Sequence, residues 1–322
     1  VKPDSKIYVA GHIGLVGSSL VRNLKKKGFT RIITRSLNEL DLKRQADTEA
    51  FFEQERPEYV FLAAAKVGGI LANNTYKAQF IYDNLIIATN VIHSAYQSGV
   101  KKLLNLGSSC IYPRLAPQPL KEDYLLTGPL EQTNEPYAVA KISAIKMCRY
   151  YNEEYETDFV SVMPTNLYGP NDNFNLQNSH VLPALLRKIH LAKLYRSGNT
   201  DQIKKDAEIF GKIPDDIAQN KDKVLLWGSG TPLREFLYSD DLAEACILIM
   251  EKYSARDIGE FVNIGAGKDM PIRELAEIVR ETVDFQGDIH WDPSKPDGTP
   301  KKQLDVSRIK KLGWEAKVDI KT

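Results

Sequence analysis

Val9–Leu20 reads VAGHIGLVGSSL and places Gly11, Gly14 and Gly17 three residues apart. A short apolar strand, KIYVAG (6–11), precedes the glycines, and a helix over about 15–27 follows, stopped by Gly28. In that setting the first glycine permits a tight turn and the second lets backbone approach a pyrophosphate. The third allows close helix–strand packing. The free N–H groups and positive dipole of the helix N-terminus favour phosphate there. Working outward, RIITRS (31–36) reads as a second strand and ADTEAFFEQERP (46–57) as a helix. YVFLAAA (59–65) is a third strand, and a long amphipathic helix over 76–99 ends at Gly99. KKLLNLGSSCIY (101–112) is a fourth strand, 136–155 a helix opened by Pro136, and DFVSVMPTNLYGP (158–170) a fifth strand. Alternating strands and helices predict a Rossmann-type doubly wound parallel sheet.

Residues 1–170 therefore read as a dinucleotide-binding domain and 171–322 as a smaller mixed α/β substrate-binding domain, with the chain returning to the first at about 233–265. Within the second part, a helix lies near 182–194, a strand at VLLWGSG (224–230), and helices near 239–253 and 272–283. The charged run 196–223 reads as a loop with one helix beside the substrate site. The 322 residues are 43% hydrophobic and 26% charged, with a formal net charge of +1. That balance gives no field to attract nucleic acid or a membrane surface. No apolar run reaches transmembrane length, and VKPDSKIYVAGHIG lacks a signal-peptide layout. Cys110, Cys148 and Cys246 form neither a disulfide framework nor a zinc spacing. A cytoplasmic protein without a metal site is expected.

Tyr137 and Lys141, four apart on a helix, share one face. A free tyrosine has a pKa of about 10, and a neighbouring ammonium favours the phenolate. Such a phenol can deliver a proton to a carbonyl oxygen that receives hydride. Ser108, at the end of the fourth strand, can hydrogen-bond the same oxygen. Cys110 lies two residues on. In an extended chain the two side chains point the same way, so the thiol either packs as a small hydrophobe or faces the substrate. The second strand ends Thr34-Arg35-Ser36, with no acid for a ribose hydroxyl. Arg35 can instead meet a 2′-phosphate, which points to NADP(H).

The glycine turn, Ser108 and Tyr137-x-x-x-Lys141 resemble the extended short-chain dehydrogenase/reductases. Finer strings narrow the resemblance to the epimerase/reductases of GDP-4-keto-6-deoxy sugars. They include LAAAKVGGILANNTY, GSSCIYP, EQTNEPYAVAKI, PTNLYGPNDNF, SHVLPALLRK, WGSGTPLREF and SKPDGTPKK. This likeness spans nearly the whole chain. It implies NADPH-dependent reduction at carbon-4 by Ser108, Tyr137 and Lys141, after epimerisation at carbon-3 and carbon-5 by Cys110 and His180. It also implies Asp41 and Ala64 beside the cofactor, and Asn166, Lys188, Trp227, Arg234, Asp297 and Lys302 around the GDP-sugar. A homodimer paired through the helices near 76 and 136 is implied too. Relatives often carry arginines where this chain has Ile13 and Leu37, so a weaker NADPH preference is expected. The long 196–223 segment resembles that of relatives acting on GDP-6-deoxy-heptoses, which leaves hexose and heptose open as substrates, and a monofunctional 4-reductase is a further alternative. The chain stops at KVDIKT, where the family usually adds a helix, so a trimmed sequence is expected.

Overall fold

In the computed structural model, which describes residues 1–295 and 297–321, strand β1 (Ile7–Ala10) turns at Gly11 into helix α1 (Leu15–Lys26). Gly11 has φ +81°, a conformation that costs glycine little. A Cβ on Gly17 would lie 2.1 Å from the Gly11 carbonyl oxygen. Strand end and helix therefore meet because neither residue carries a side chain. The chain continues through β2 (Ile32–Ile33), α2 (Gln45–Glu55), β3 (Tyr59–Leu62), α3 (Ile70–Thr75) and α4 (Lys77–Gln97). Next come β4 (Lys102–Leu106), α5 (Glu135–Tyr155), β5 (Phe159–Pro164), β6 (Asn166–Tyr168), α6 (Val181–Arg196), α7 (Thr200–Phe210) and α8 (Asp215–Gln219). Then follow β7 (Lys223–Trp227), β8 (Leu233–Tyr238), α9 (Ser239–Lys252), α10 (Ala255–Ile258), β9 (Val262–Ile264) and β10 (Asp269–Pro271). The last elements are α11 (Ile272–Val283), β11 (Asp288–Asp292), β12 (Lys301–Lys302) and α12 (Ser307–Lys311).

Six strands form one sheet in the order β2-β1-β3-β4-β5-β9, and every pairing is parallel. The central strands are buried on both faces, as helices on each side require. Ile7 and Val9 pack with α1 and α9 on one face. Tyr8 and Ala10 pack with α2, α4 and α5 on the other. The order reverses at β1, whose neighbours β2 and β3 lead away in opposite directions. A crevice opens there above the carboxyl ends of the strands. The second strand is shorter than the sequence implies. Beyond Ile33 the Arg35 guanidinium takes the Thr34 carbonyl at 2.9 Å, so that acceptor serves a side chain rather than the ladder.

The smaller part holds a sheet in the order β10-β8-β12, with β6 also on β8, and a separate β7–β11 pair. Helices α6 and α11 cover them. Strand β8 runs straight into α9, which crosses back to the large sheet. Ile309 and Trp314 likewise join the core that contains β1 and α9. The chain thus passes between the two sheets after β5, after β8, after β9 and before α12. Glu235 stands where these crossings meet. Its buried carboxylate accepts N–H bonds from Gly267 at 2.7 Å and Leu304 at 2.8 Å. Its own carbonyl accepts from Asn166 at 2.9 Å. Burial pushes its pKa up, and the two N–H bonds oppose that.

The run 196–223 departs from the expected loop with one helix, since it forms α7 and α8. Arg187 on α6 and Asp206 on α7 make a buried ion pair at 2.8 Å. The guanidinium also donates to the carbonyls of Phe174, Phe210 and Gly211 at 3.1, 2.8 and 2.6 Å. Ile217 of α8 packs on Leu191 and Leu194. In the sequence Arg187 and Asp206 look like surface charges, because only the folded chain brings them together.

Candidate active site

All five residues of β4 are buried, and the chain leaves the sheet at Gly107. A Cβ there would lie 2.0 Å from the Met163 side chain. Ser108 is extended, but Ser109–Ile111 form a 3-10 turn. This corrects the expectation of an extended Ser108–Cys110 stretch. The Ser108 hydroxyl accepts the Cys110 N–H at 3.4 Å and so caps the turn. The turn still brings the thiol near the Ser108 hydroxyl and near Lys302 and Lys141.

Helix α5 delivers Tyr137 and Lys141 to the same place. The Lys141 ammonium lies 5.7 Å from the Tyr137 ring centre and donates to the Leu106 carbonyl at 2.7 Å. That bond ties the helix to the end of β4. Phe80 packs edge-on against Tyr137 at 6.3 Å. Burial pulls Lys141 down to about 8. Tyr137 behaves differently from the expectation of a depressed pKa. Burial and the adjacent Cys110 push it up, while Ser108 pulls it partly back. Desolvation outweighs the pull of Ser108, so Tyr137 rests as a phenol with a proton to give. Cys110 is also pushed up by burial, against the pull of Lys302, Ser108 and Lys141.

The smaller part faces this group. His180 caps the start of α6, as its place in the sequence suggests, with no hydrogen bond from its ring to the helix. It is reached by solvent at the cleft mouth but hemmed in by protein. That enclosure and the Lys302 ammonium push its pKa down. Lys302 pairs in register with Arg234 on the neighbouring parallel strand, which sets two cations side by side. Burial lowers both pKa values, and Asp297 opposes the shift at Arg234. Trp227 ends β7 with 55% of its surface exposed, so its ring is open to a ligand rather than packed in the core. Lys188 and Lys295 lie 5.8 and 5.7 Å from its ring centre. A flat ring flanked by cations suits a base with phosphates attached. The sequence reading missed Lys295, because SKPDGTP looks like a plain turn. Asp297 gives one oxygen to the Ser229 N–H at 2.6 Å and the other to its hydroxyl at 2.8 Å, fixing the turn after Trp227. Asn166 is held by the Glu235 carbonyl.

At the crevice, Gly14 leads α1 with no side-chain cap, so the first-turn N–H groups are free for phosphate. A Cβ on Gly11 would sit 2.7 Å from the Ala64 nitrogen, so β1 and β3 converge on a cradle that a side chain would fill. These residues fit a dinucleotide. Arg35 lies two residues beyond β2, paired with Glu55 at 2.6 Å and with its guanidinium 5.6 Å from the Phe51 ring centre. Asp41 accepts the Lys43 N–H at 3.1 Å in the loop between β2 and α2. Among the described residues no group of His, Cys, Asp or Glu could hold a metal ion.

A dinucleotide crevice beside a Ser–Tyr–Lys cluster defines an oxidoreductase of the extended short-chain type. Residues 7–265 match the NAD dependent epimerase/dehydratase family, and the chain belongs to that family. It is 55% identical over 321 residues to the putative GDP-L-fucose synthase 2 of Arabidopsis thaliana, covering 100% of this chain and 90% of that protein. It is 41% identical to a solved GDP-6-OMe-4-keto-L-xylo-heptose reductase from C. jejuni, with TM-score 0.94 and coverage of 100% and 95%. A GDP-mannoheptose C4 reductase from Campylobacter jejuni, solved with NADP bound, is 41% identical with TM-score 0.87 and coverage of 100% and 96%.

Proposed function

We propose that the protein epimerises GDP-4-keto-6-deoxy-D-mannose at carbon-3 and carbon-5 and reduces it at carbon-4 with NADPH, giving GDP-L-fucose. The observation that carries this is the set of groups around one cleft. Ser108, Tyr137 and Lys141 meet at the end of β4 with Cys110 among them, opposite His180, Lys302 and Arg234. Reduction alone needs no thiol and no second proton-transfer group. The 55% identity to a GDP-L-fucose synthase, against 41% to the heptose enzymes, favours the hexose. The heptose reading keeps one support, the closer backbone match at TM-score 0.94. Incubating the protein with NADPH and either 4-keto sugar, in heavy water, decides. Faster NADPH oxidation with the hexose, and deuterium at carbon-3 and carbon-5 of the product, is expected. Faster turnover of the heptose overturns the assignment, and reduction without deuterium leaves a monofunctional reductase.

The bound cofactor supplies hydride to carbon-4. Ser108 holds the ketone oxygen, and Tyr137 gives it a proton as negative charge develops. The Lys141 ammonium stabilises the phenolate left behind. Before that, the ketone acidifies the hydrogens on both neighbouring carbons. Cys110 removes each as a thiolate, which Lys302 and Lys141 favour, and His180 returns a proton from the other face. Trp227 stacks the base, while Arg234, Lys188 and Lys302 meet the diphosphate and sugar.

Arg35 is the charge available to a 2′-phosphate, but Glu55 competes for it. The NADPH preference is therefore moderate. Arg35→Ala should lower the ratio of kcat/KM for NADPH over NADH about tenfold or more, as for a lost charged hydrogen bond. An unchanged ratio would mean another group reads the phosphate.

The working form in this proposal is a cytoplasmic homodimer joined through α4 and α5. Tyr82, Val139 and Tyr150 are exposed on these two helices at 63%, 37% and 53%, an apolar surface that a second copy would cover. No helix among the described residues is long and apolar enough to cross a membrane, and all three cysteines are free and buried, which suits a reducing compartment. Sedimentation equilibrium at micromolar concentration should give twice the chain mass; a stable monomer would contradict the pairing.

A further inference from the structure

Asn134 precedes α5 by one residue. It lies three positions before Tyr137 and seven before Lys141, a spacing that stacks all three along one helix face. An asparagine at such a point ordinarily accepts an N–H from the second or third helical residue. Asn134 makes no such bond. The second helical residue is Pro136, which has no N–H to offer. The amide oxygen of Asn134 is instead buried with no hydrogen-bond partner among the described residues. It lines a cavity of about 30 Å³ together with Cys110, Gln118, Glu131 and Lys302. That space admits one small polar group. Glu131 does not fill the need, because a carboxylate accepts and the Asn134 oxygen needs a donor; Glu131 itself accepts the Thr133 N–H at 3.2 and 3.1 Å. A buried amide without a partner destabilises a fold, and native chains rarely keep one unless something else satisfies it.

We propose that Asn134 binds the hydroxyl on carbon-3 of the sugar. This rests on the substrate reading above. The cavity adjoins Cys110, which works on the two carbons beside the ketone. Carbon-5 bears a methyl group and the ring oxygen; carbon-3 alone of the two bears a hydroxyl. A methyl group would leave the amide oxygen unpaired, whereas a hydroxyl donates to it. Held there, carbon-3 is fixed with respect to the thiol. Because Asn134 and Tyr137 ride on the same helix turn, the sugar is indexed to the proton donor as well. The same bond selects for sugars that keep the 3-hydroxyl over 3-deoxy sugars.

The test compares kcat/KM for NADPH oxidation on GDP-4-keto-6-deoxy-mannose and on its 3-deoxy analogue. Asn134→Ala should lose about tenfold or more on the first and change by less than about twofold on the second, because no hydroxyl is there to bind. Asn134→Ser, which keeps a good helix-capping residue but is too short to enter the cavity, should give the same split and serves if the alanine variant is unstable. Equal losses on both substrates, or no loss on either, overturns the assignment. Wild-type protein that turns over neither sugar and exchanges no deuterium into them overturns the substrate reading instead, and this inference falls with it.

Discussion

Replacing Tyr137 with phenylalanine should leave NADPH binding nearly intact while slowing reduction of the 4-keto sugar by about 100-fold or more, the usual contribution of a positioned acid. The phenol is the group that gives the proton, and burial keeps it protonated at neutral pH. Phenylalanine preserves the ring that Phe80 packs against, so the fold should hold. The wild-type rate should also decline as pH rises past about 8, where Lys141 loses its charge. Below that pH the ammonium stabilises the phenolate formed on proton transfer; above it, that stabilisation is lost. The variant, having no phenol, should lack this dependence. Stopped-flow nicotinamide absorbance and a fluorescence titration of NADPH separate the two effects. Near-normal turnover by the variant would remove Tyr137 from the chemistry.

Cys110→Ser should nearly abolish deuterium uptake at carbon-3 and carbon-5, again by about 100-fold or more, because a serine hydroxyl is a far weaker acid than a thiol. Ser108, Tyr137 and Lys141 remain, so the unepimerised ketone should still be reduced. The directions of the two pKa shifts add a pH signature. Cys110 is pushed up and His180 down, so the resting pair is a thiol and a neutral imidazole. The working pair is the thiolate and the imidazolium. The fraction in that form is constant between the two pKa values and falls outside them. Exchange should therefore show a flat plateau around neutrality, falling in acid as the thiolate is lost and in alkali as His180 cannot be protonated. Wild-type exchange by the serine variant would mean that Cys110 only packs.

The glycine turn and the strand–helix alternation made the large sheet legible, because each helix and strand there obeys its own period. Tyr137 and Lys141 were legible for the same reason: four residues on a helix is a fixed distance. What the sequence hid was contact between distant residues. Nothing in Arg187 or Asp206 announces a buried pair, so α7 and α8 read as a charged loop with one helix. Nothing in Glu235 announces that two N–H groups from later segments converge on it. The pKa of Tyr137 went the other way from its nearest charge, since desolvation depends on the whole surrounding fold. Asn134 carries no signal in the sequence, because only the folded chain leaves its amide oxygen buried and without a partner.

The path of the chain also sets when folding can finish. The large sheet takes β9 from residues 262–264, and its core takes Ile309 and Trp314. A ribosome that has made the first 170 residues has made the glycine turn and five of the six strands, but not the covering that α9 and Trp314 provide over one face. Helix α1 covers part of that face early, and the rest stays open until α9 and Trp314 have emerged. The nascent protein therefore depends on later-made residues to bury earlier-made ones, and its long-range pairings make acquisition of structure late and cooperative rather than stepwise.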